Sequence, residues 1–503
     1  MARYLLVALA LICGCGRIGY DELDGNAGDG LTLSYPSTDV TAVVGVTVVS
    51  MTPTVSREVS SFTIAPSLPT GVVIDPASGV IAGIPMQPAD GVRYTVTASD
   101  GDASARFGFR LTSLPGVVVD VTADFPDDNG GADPLCFATP AGGCTLRAAV
   151  QTANRRATAQ VVLLGAGVYA LGSALETIAN SVVIAGQGVT ATTIRAAAIQ
   201  PGYGMLALAS AHTLALRQAG FRDFGMADGA VVNVTAGTLE VDGCDFVNNA
   251  SAGSGGVFFV AAGARATIRT STFTGNASFG GCCGGWGGVI DGEGQGTTIV
   301  IDGCTATANR SAWGSFAHIT TGTTLRLENS TLYGNLSTTA GTLATPGGVY
   351  TLINDTIASN TNTSSSPESA GLYLFEAPGH YVVANTIVAF NTDVTGGEHN
   401  CNRRDLLTSL TSEGGNLFSD GAGNCGAYVT AAGDRLDTDP GLEPGAPGNH
   451  GGPTPTILLT PSSAAIDGAQ TARCPSIDQR GWPRPVAGSG TTALCDVGAV
   501  EMQ

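Results

Sequence analysis

Six segments decide the fold: LEVDGCDFVNN (239–249), ATIRTSTFTGN (266–276), IVIDGCTATAN (299–309), LRLENSTLYGN (325–335), YTLINDTIASN (350–360) and YVVANTIVAFN (381–391). Aligned on the closing Asn249, Asn276, Asn309, Asn335, Asn360 and Asn391, they recur at separations of 27, 33, 26, 25 and 31 residues. That period suits one coil of a parallel β-helix carrying loop insertions and is too short for a propeller blade.

Other columns keep the same register. Eight residues before each Asn stand Val241, Ile268, Ile301, Leu327, Leu352 and Val383, and ten before stand Leu239, Ala266, Ile299, Leu325, Tyr350 and Tyr381. Three before stand Phe246, Phe273, Ala306, Leu332, Ile357 and Val388. Strand side chains alternate faces, so positions −10 and −8 point inward and −9 and −7 outward. Position −6, held by Gly243, Thr270, Gly303, Asn329, Asn354 and Asn385, marks a corner. One coil cannot bury its apolar face alone, whereas stacked coils form continuous ladders of like residues. The Asn column is expected at a bend, where Asn tolerates left-handed backbone and its amide can bond the Asn of the next coil. The predicted fold is therefore all-β, a right-handed parallel β-helix.

Composition agrees. Gly stands at 71 residues, aromatics are sparse, and short runs of Val, Ile, Leu and Thr lie between Gly and Asn, which favours short strands and tight turns. The charge of −19 arises from 41 acids against 22 bases, every base an Arg. Such a surface repels nucleic acid and polyanionic sugars, so nucleic acid is excluded as a partner.

Outward from the coils, residues 1–14 carry Arg3 and a short apolar run with the layout of a signal peptide. The run ends in Ile12-Cys13-Gly14-Cys15, which resembles a bacterial lipoprotein box and implies acylation of Cys15. An unlipidated, ordinarily cleaved signal is the alternative. Export to a membrane-anchored position, at the outer membrane or cell surface, is expected. Residues 15–30 are Gly- and Asp-rich and suit a flexible tether. From 31 to 115, apolar alternation with turns at Pro and Gly predicts a small β-sandwich. Leu68-Pro-Thr-Gly71, Gly79 to Pro85 and Tyr94 to Ala98 resemble the Ig-like domains of bacterial surface proteins, which implies a spacer or adhesive module.

Residues 116–200 form a predicted N-terminal cap. Asp127 to Asp133, Cys136 and Cys144-Thr-Leu-Arg-Ala-Ala-Val150 resemble the CSLREA domain that opens many bacterial β-helix proteins, departing at Ala148, where that family usually carries Glu. Coils follow over 201–409. In 410–503, Asn449 to Pro455, Asp478 to Gly481, Pro483 to Pro485 and Cys495 to Glu501 resemble the choice-of-anchor Q domain. These resemblances imply surface display and name no reaction. The short spacings Cys136/Cys144, Cys401/Cys425 and Cys474/Cys495 suit disulfides, so the helix is expected to be capped at both ends by disulfide-containing segments. Adjacent Cys282 and Cys283 have no state readable from sequence.

Two acidic groupings are candidates for chemistry. Position −7 reads Asp242, Arg269, Asp302, Glu328, Ile353 and Ala384. An acid pair such as Asp302 and Glu328 on adjacent coils is the candidate for retaining glycoside hydrolysis, with a lyase as a further carbohydrate-active possibility. The competing reading is a charge ladder in which Arg269 bridges Asp242 and Asp302. Asp124, Asp127, Asp128 and Asp133 on a Gly-containing turn are the candidates for Ca²⁺, set against a solvated acidic turn. The five His residues show no metal-ligand spacing and no evident Ser or Cys partner. Trp286 and Trp313, in neighbouring insertions, form either an aromatic binding patch or loop anchors. The expected function is a non-catalytic binding or structural role toward a glycan, matrix or partner protein. The alternative is a carbohydrate-active enzyme.

Overall fold

The computed structural model describes residues 31–502 except 45–48, 88, 102, 132–134, 199–201, 227, 262, 281–283, 365–368, 377–378, 405–407 and 487–492. The expected signal peptide, Cys15, the expected tether, Asp133, Cys282 and Cys283 lie outside the described residues. The chain divides into two compact units, one ending at Val117 and including Ala159–Val161, the other comprising the rest.

The first unit is an Ig-like sandwich. A four-stranded sheet runs in the order Asp39–Val43, Ser104–Leu114, Ala89–Ser99, Ser61–Ala65, and a three-stranded sheet in the order Val49–Met51, Ile81–Gly83, Val72–Ile74. Their apolar positions meet in a core of Phe62, Ile81, Tyr94, Val96, Phe109 and Leu111. Gly79 is required: its φ is +71°, and a Cβ there would stand 2.6 Å from the Phe62 ring. Tyr35 ties the same turn by donating to the Gly79 carbonyl at 2.6 Å.

The second unit is a parallel β-solenoid of about nine turns. Each repeating coil supplies three faces. Sheet A contains the predicted strands Thr238–Asp242 (within Val232–Asp242), Arg265–Arg269, Thr298–Asp302, Thr324–Glu328, Val349–Ile353 and His380–Ala384, together with a second ladder of shorter strands beginning at Phe258–Val260. Sheet B stacks Asp245–Val247, Thr272–Thr274, Thr305–Thr307, Thr331–Tyr333, Thr356–Ala358 and Ile387–Ala389. Sheet C follows each Asn, from Ala250–Ser251 to Thr361–Asn362. All residues at −10, −8 and −3 are buried, as the alternation requires. Phe221, Phe246 and Phe273 stack along the interior at 5.1 Å between centroids, and Tyr350 stacks on Tyr381 at 4.8 Å. These distances are close to the coil spacing, so like residues on neighbouring coils fall into ring-on-ring register.

Position −6 is a left-handed corner in every coil, with φ between +44° at Thr270 and +65° at Gly303. The Asn column bonds as expected. Each side-chain Oδ1 accepts from the backbone N–H and the Nδ2 of the preceding Asn, at 2.8–3.0 Å from Asn249 through to Asn391. The left-handed residue, however, is not the Asn but the one before it: Asn248, Gly275, Ala308, Gly334, Ser359 and Phe390 carry φ of +55° to +67°. The bend falls one position early because the Asn side chain must turn inward to reach its neighbours.

At −5 runs a second interior ladder: Cys244, Ser271, Cys304, Ser330, Asp355, Thr386. Side-chain oxygens accept the backbone N–H of the previous coil, as Ser271 does from Cys244 and Ser330 from Cys304, each at 3.1 Å, and Asp355 from Ser330 at 3.0 Å. Cys244 and Cys304 are free thiols here, and burial pushes both up to about 12, so they are inert at neutral pH.

The three expected disulfides form, and the C-terminal region departs from a simple cap. Helix Leu146–Arg155 covers the N-terminal end, begun by Thr145, whose Oγ1 accepts the Ala148 N–H at 3.0 Å, and buries Leu146, Ala149, Val150 and Ala153. The position where Glu was expected holds a fully buried Ala148. Cys136 and Cys144 are joined at this end, Cys401 to Cys425 at the last coil, and Cys474 to Cys495 in the C-terminal region. The last strands, Ser409–Gly414 and Leu417–Phe418, still belong to a coil. Beyond them the chain does not simply cap the end. It runs back as a strap along the corner between sheets A and B.

Thr454 donates to Gly303 O at 2.9 Å, and Gln479 accepts from Thr331 Oγ1 at 2.6 Å while donating to Thr305 Oγ1 at 2.8 Å. Asn354 donates to Asp496 O at 3.1 Å, and Gln470 N–H to Asn385 Oδ1 at 2.6 Å. The strap thereby spans four coils. Its Asp478, Arg480, Arg484, Asp496 and Glu501 form a buried ionic cluster, with Arg480–Asp478 at 2.8 Å and Arg484–Glu501 at 3.5 Å. Leu459, Ala465, Ala469 and Val497 pack with Ile387 and Leu417 in an apolar cluster, and hydrogen bonds to corner groups fasten the more polar parts of the segment.

Candidate functional site

The four charged residues at −7 do fall on consecutive coils, Asp242 beside Arg269, Arg269 beside Asp302 and Asp302 beside Glu328. Their partners differ from the bridged ladder that was expected. Asp242 pairs with Arg217, one coil earlier in the same column, at 3.4 Å, and accepts from Thr270 Oγ1 at 2.5 Å. Glu328 pairs with Arg326 of its own strand at 2.5 Å. Arg269 is exposed and forms an ion pair with neither aspartate. It acts on Asp302 only at longer range, opposing the rise of that carboxyl. Burial, and then the neighbouring Glu328, raise the Asp302 carboxyl above the ordinary range. Two of the three carboxylates are thus engaged by fixed cations, as in a structural charge ladder.

The proposed Ca²⁺ turn is likewise occupied by its own backbone. Asp127 is buried and accepts from Asn129, Gly131 and Phe137 N–H at 3.2, 2.8 and 3.1 Å. Asp124 grips Arg147 at 2.8 and 2.9 Å and accepts from Gly172 N–H at 2.7 Å. Asp128 is held by Thr139. Among the described residues no three His, Cys, Asp or Glu side chains gather to hold a metal ion.

The histidines gain partners that their sequence positions hide. His380 Nδ1 meets Ser409 Oγ at 2.5 Å, His399 meets Asp393 at 3.1 Å, and His450 meets Thr456 at 3.1 Å. The most enclosed pair is His318 Nδ1 with Asp291 Oδ1 at 2.7 Å, both buried.

This pair lies on the second ladder of sheet A, on the strands Ile290–Gly292 and Ala317–Ile319. One outward column there reads Phe259, Asp291, His318, Ala344, Tyr373 and Asn402. Asp291 and His318 point away from the interior and are nevertheless buried, and the rings of Trp286 and of Phe375, in the strand Leu372–Glu376, lie against His318. Trp286 stacks on His318 at 5.9 Å and 16°, and Phe375 lies 6.4 Å from His318 and 4.7 Å from Trp313. Trp286 and Trp313 occupy the same position on adjacent coils and are joined by a parallel bridge. Trp286, Trp313 and Phe375 remain partly exposed. Their outer faces make an aromatic row along the solenoid.

Acidic groups stand behind the rings. Asp291 Oδ2 is buried with no hydrogen-bond partner. Glu293, half-buried at the end of the same strand, is raised above its ordinary value by burial, then by Asp291, with a lesser contribution from Asp228 and an opposing one from His318. No Ser or Cys nucleophile bonds His318 among the described residues.

A separate shallow cleft lies where the strap crosses sheet B, lined by Thr272, Thr274, Thr307, Tyr333, Pro447 and Pro455. Its walls are neutral, and its floor is the outward Thr column.

Comparison with known proteins is limited to the first unit. Residues 30–113 match the family model described as "Putative Ig domain". No curated protein and no solved structure matches the chain. An Ig-like domain followed by a parallel β-solenoid is consistent with a binding or structural role at a surface.

Proposed function

We propose that this chain is an exported surface lipoprotein, anchored through a lipid on Cys15, whose solenoid recognises a glycan or surface partner without transforming it. One observation carries the recognition role: the partly exposed row of Trp286, Trp313 and Phe375 on one outward face of the coils. Aromatic faces bury large apolar area against a ligand at little entropic cost, and binding sites are enriched in them. The resemblances to CSLREA and choice-of-anchor Q domains, and the Ig-like spacer, fit display away from a membrane. The acidic ladder supports the enzyme reading less well, since Asp242 and Glu328 are held by Arg217 and Arg326.

The test is a glycan-array and polysaccharide-degradation screen on the mature chain, run beside Asp302→Ala/Glu328→Ala and Trp286→Ala/Trp313→Ala variants. Binding without cleavage, lost only in the Trp variant, is expected. Cleavage abolished in the acidic variant would replace this reading with a glycosidase or lyase. Radiolabelled palmitate incorporated by wild type and not by Cys15→Ser tests the anchor.

A further inference from the structure

Resting on the recognition reading above, we propose that the row of Trp286, Trp313 and Phe375, with Glu293 beside it, binds an ammonium-bearing saccharide, a glycan of free amino sugars. The aromatic faces and the negative charge come from the same place in the fold. Asp291 and His318 are consecutive members of one outward column, and Trp286 and Trp313 are consecutive members of another. A linear glycan lying along the solenoid axis would therefore meet Trp286 and Trp313 on two adjacent coils, about 5 Å apart, with Phe375 packed against Trp313.

The charge beneath the rings is unbalanced. Asp291 and Asp228 both act to raise the Glu293 carboxyl, and His318 opposes them. His318 is already committed to Asp291 Oδ1, and Asp291 Oδ2 keeps no partner although it is fully buried. A buried carboxylate oxygen without a partner, next to a second half-buried carboxylate, leaves a strong negative field in a site of reduced dielectric. An ammonium group answers both features, since it is attracted by carboxylates and by the faces of Trp and Phe rings. A polyuronate or sulfated glycan would meet repulsion from this site and from a chain with 41 acids against 22 bases. An uncharged or N-acetylated sugar could stack on the rings but would leave the field uncompensated.

The experiment is a tryptophan-fluorescence titration of the mature full chain with glucosamine oligomers and, separately, with fully N-acetylated glucosamine oligomers, at two ionic strengths. Saturable quenching by the amino form is expected. The N-acetylated form should bind about tenfold more weakly or worse, the contribution expected of a partly desolvated cation–π and carboxylate contact. Glu293→Gln should weaken the amino form by a similar factor while leaving the thermal midpoint and the weak N-acetylated binding unchanged. Trp313→Ala should weaken both forms.

Equal affinity for the two oligomers, or a Glu293→Gln variant that binds as wild type, would overturn the ammonium assignment and leave a neutral recognition surface standing. Failure of both oligomers to bind would overturn the site. If the wider array were also empty, the recognition reading would fall with it.

Discussion

Replacing Asn309 by Ala removes the centre of the Asn ladder, and its cost follows from the bonds that the side chain makes. Oδ1 accepts from Asn276 N–H and from Asn276 Nδ2, each at 3.0 Å. Nδ2 donates to Phe273 O at 3.0 Å and to Asn335 Oδ1 at 2.9 Å. Asn335 Oδ1 keeps the Asn309 backbone N–H after the change, and Phe273 O loses only one donor, so the main damage is at Asn276. Two of its buried donors are left without acceptors, each costing about 1–2 kcal/mol. With the lost bond to Phe273, Asn309→Ala should destabilise the solenoid by about 3–4 kcal/mol. Asn309→Asp should be no milder, because its second oxygen would face the Asn335 acceptor.

Solenoid coils interact mainly with their nearest neighbours, so the damage should be local as well as global. Hydrogen–deuterium exchange should show lost protection centred on 273–276 and 309, with the Ig-like unit unchanged. Chemical denaturation gives the total. A cost below about 1 kcal/mol in denaturation, with exchange at Asn276 unaltered, would refute the idea that the amide ladder holds the coils together.

Ala308 pays for its left-handed φ of +57° with steric strain, and Ala308→Gly should stabilise the chain by up to about 1 kcal/mol, measured as a raised denaturation midpoint. Phe246 is stacked between Phe221 and Phe273, so Phe246→Ala should cost about 3–5 kcal/mol, and near-wild-type stability would show that the coil collapses around the cavity. The carboxyls of Asp302, Asp355, Asp496 and Glu501 are all raised, chiefly by burial, so each binds its proton more tightly folded than unfolded. Their contribution to stability is full below the ordinary carboxylate values of about 4 and is lost as pH rises through the raised values. Calorimetry should therefore give a higher thermal midpoint near pH 5 than near pH 8, and Asp302→Asn should flatten that slope. An opposite slope would contradict the buried placement of these groups.

How much of this was legible follows from how far each feature depends on local pattern. Positions −10, −8, −6 and −3 could be read directly, because inward burial and left-handed corners constrain residue type at each site on its own. The site could not be read the same way. Asp291 and His318 lie between a marker Asn and the next position −10, where insertions of different length intervene, so an index fixed on Asn loses register there. The left-handed glycines Gly255, Gly287 and Gly314 restore it: four residues after them stand Phe259, Asp291 and His318, in one column.

The strap left a fainter trace. Position −7 turns from charged in the coils of Asp242 to Glu328 to apolar and buried at Ile353 and Ala384. The corner residues that follow them, Asn354 and Asn385, are both bound by the strap through their side chains, whereas at Gly303, after the charged Asp302, it reaches only the carbonyl. An outward position that turns apolar is thus evidence that something covers it, although the sequence alone does not say what. The same logic separates the two acidic clusters. On the charge ladder, Asp242 and Glu328 find Arg partners. Beneath Trp286 and His318, water is largely excluded, and the orphaned Asp291 oxygen has a cost that folding alone does not recover. It is this uncompensated charge that the proposed ammonium ligand would answer.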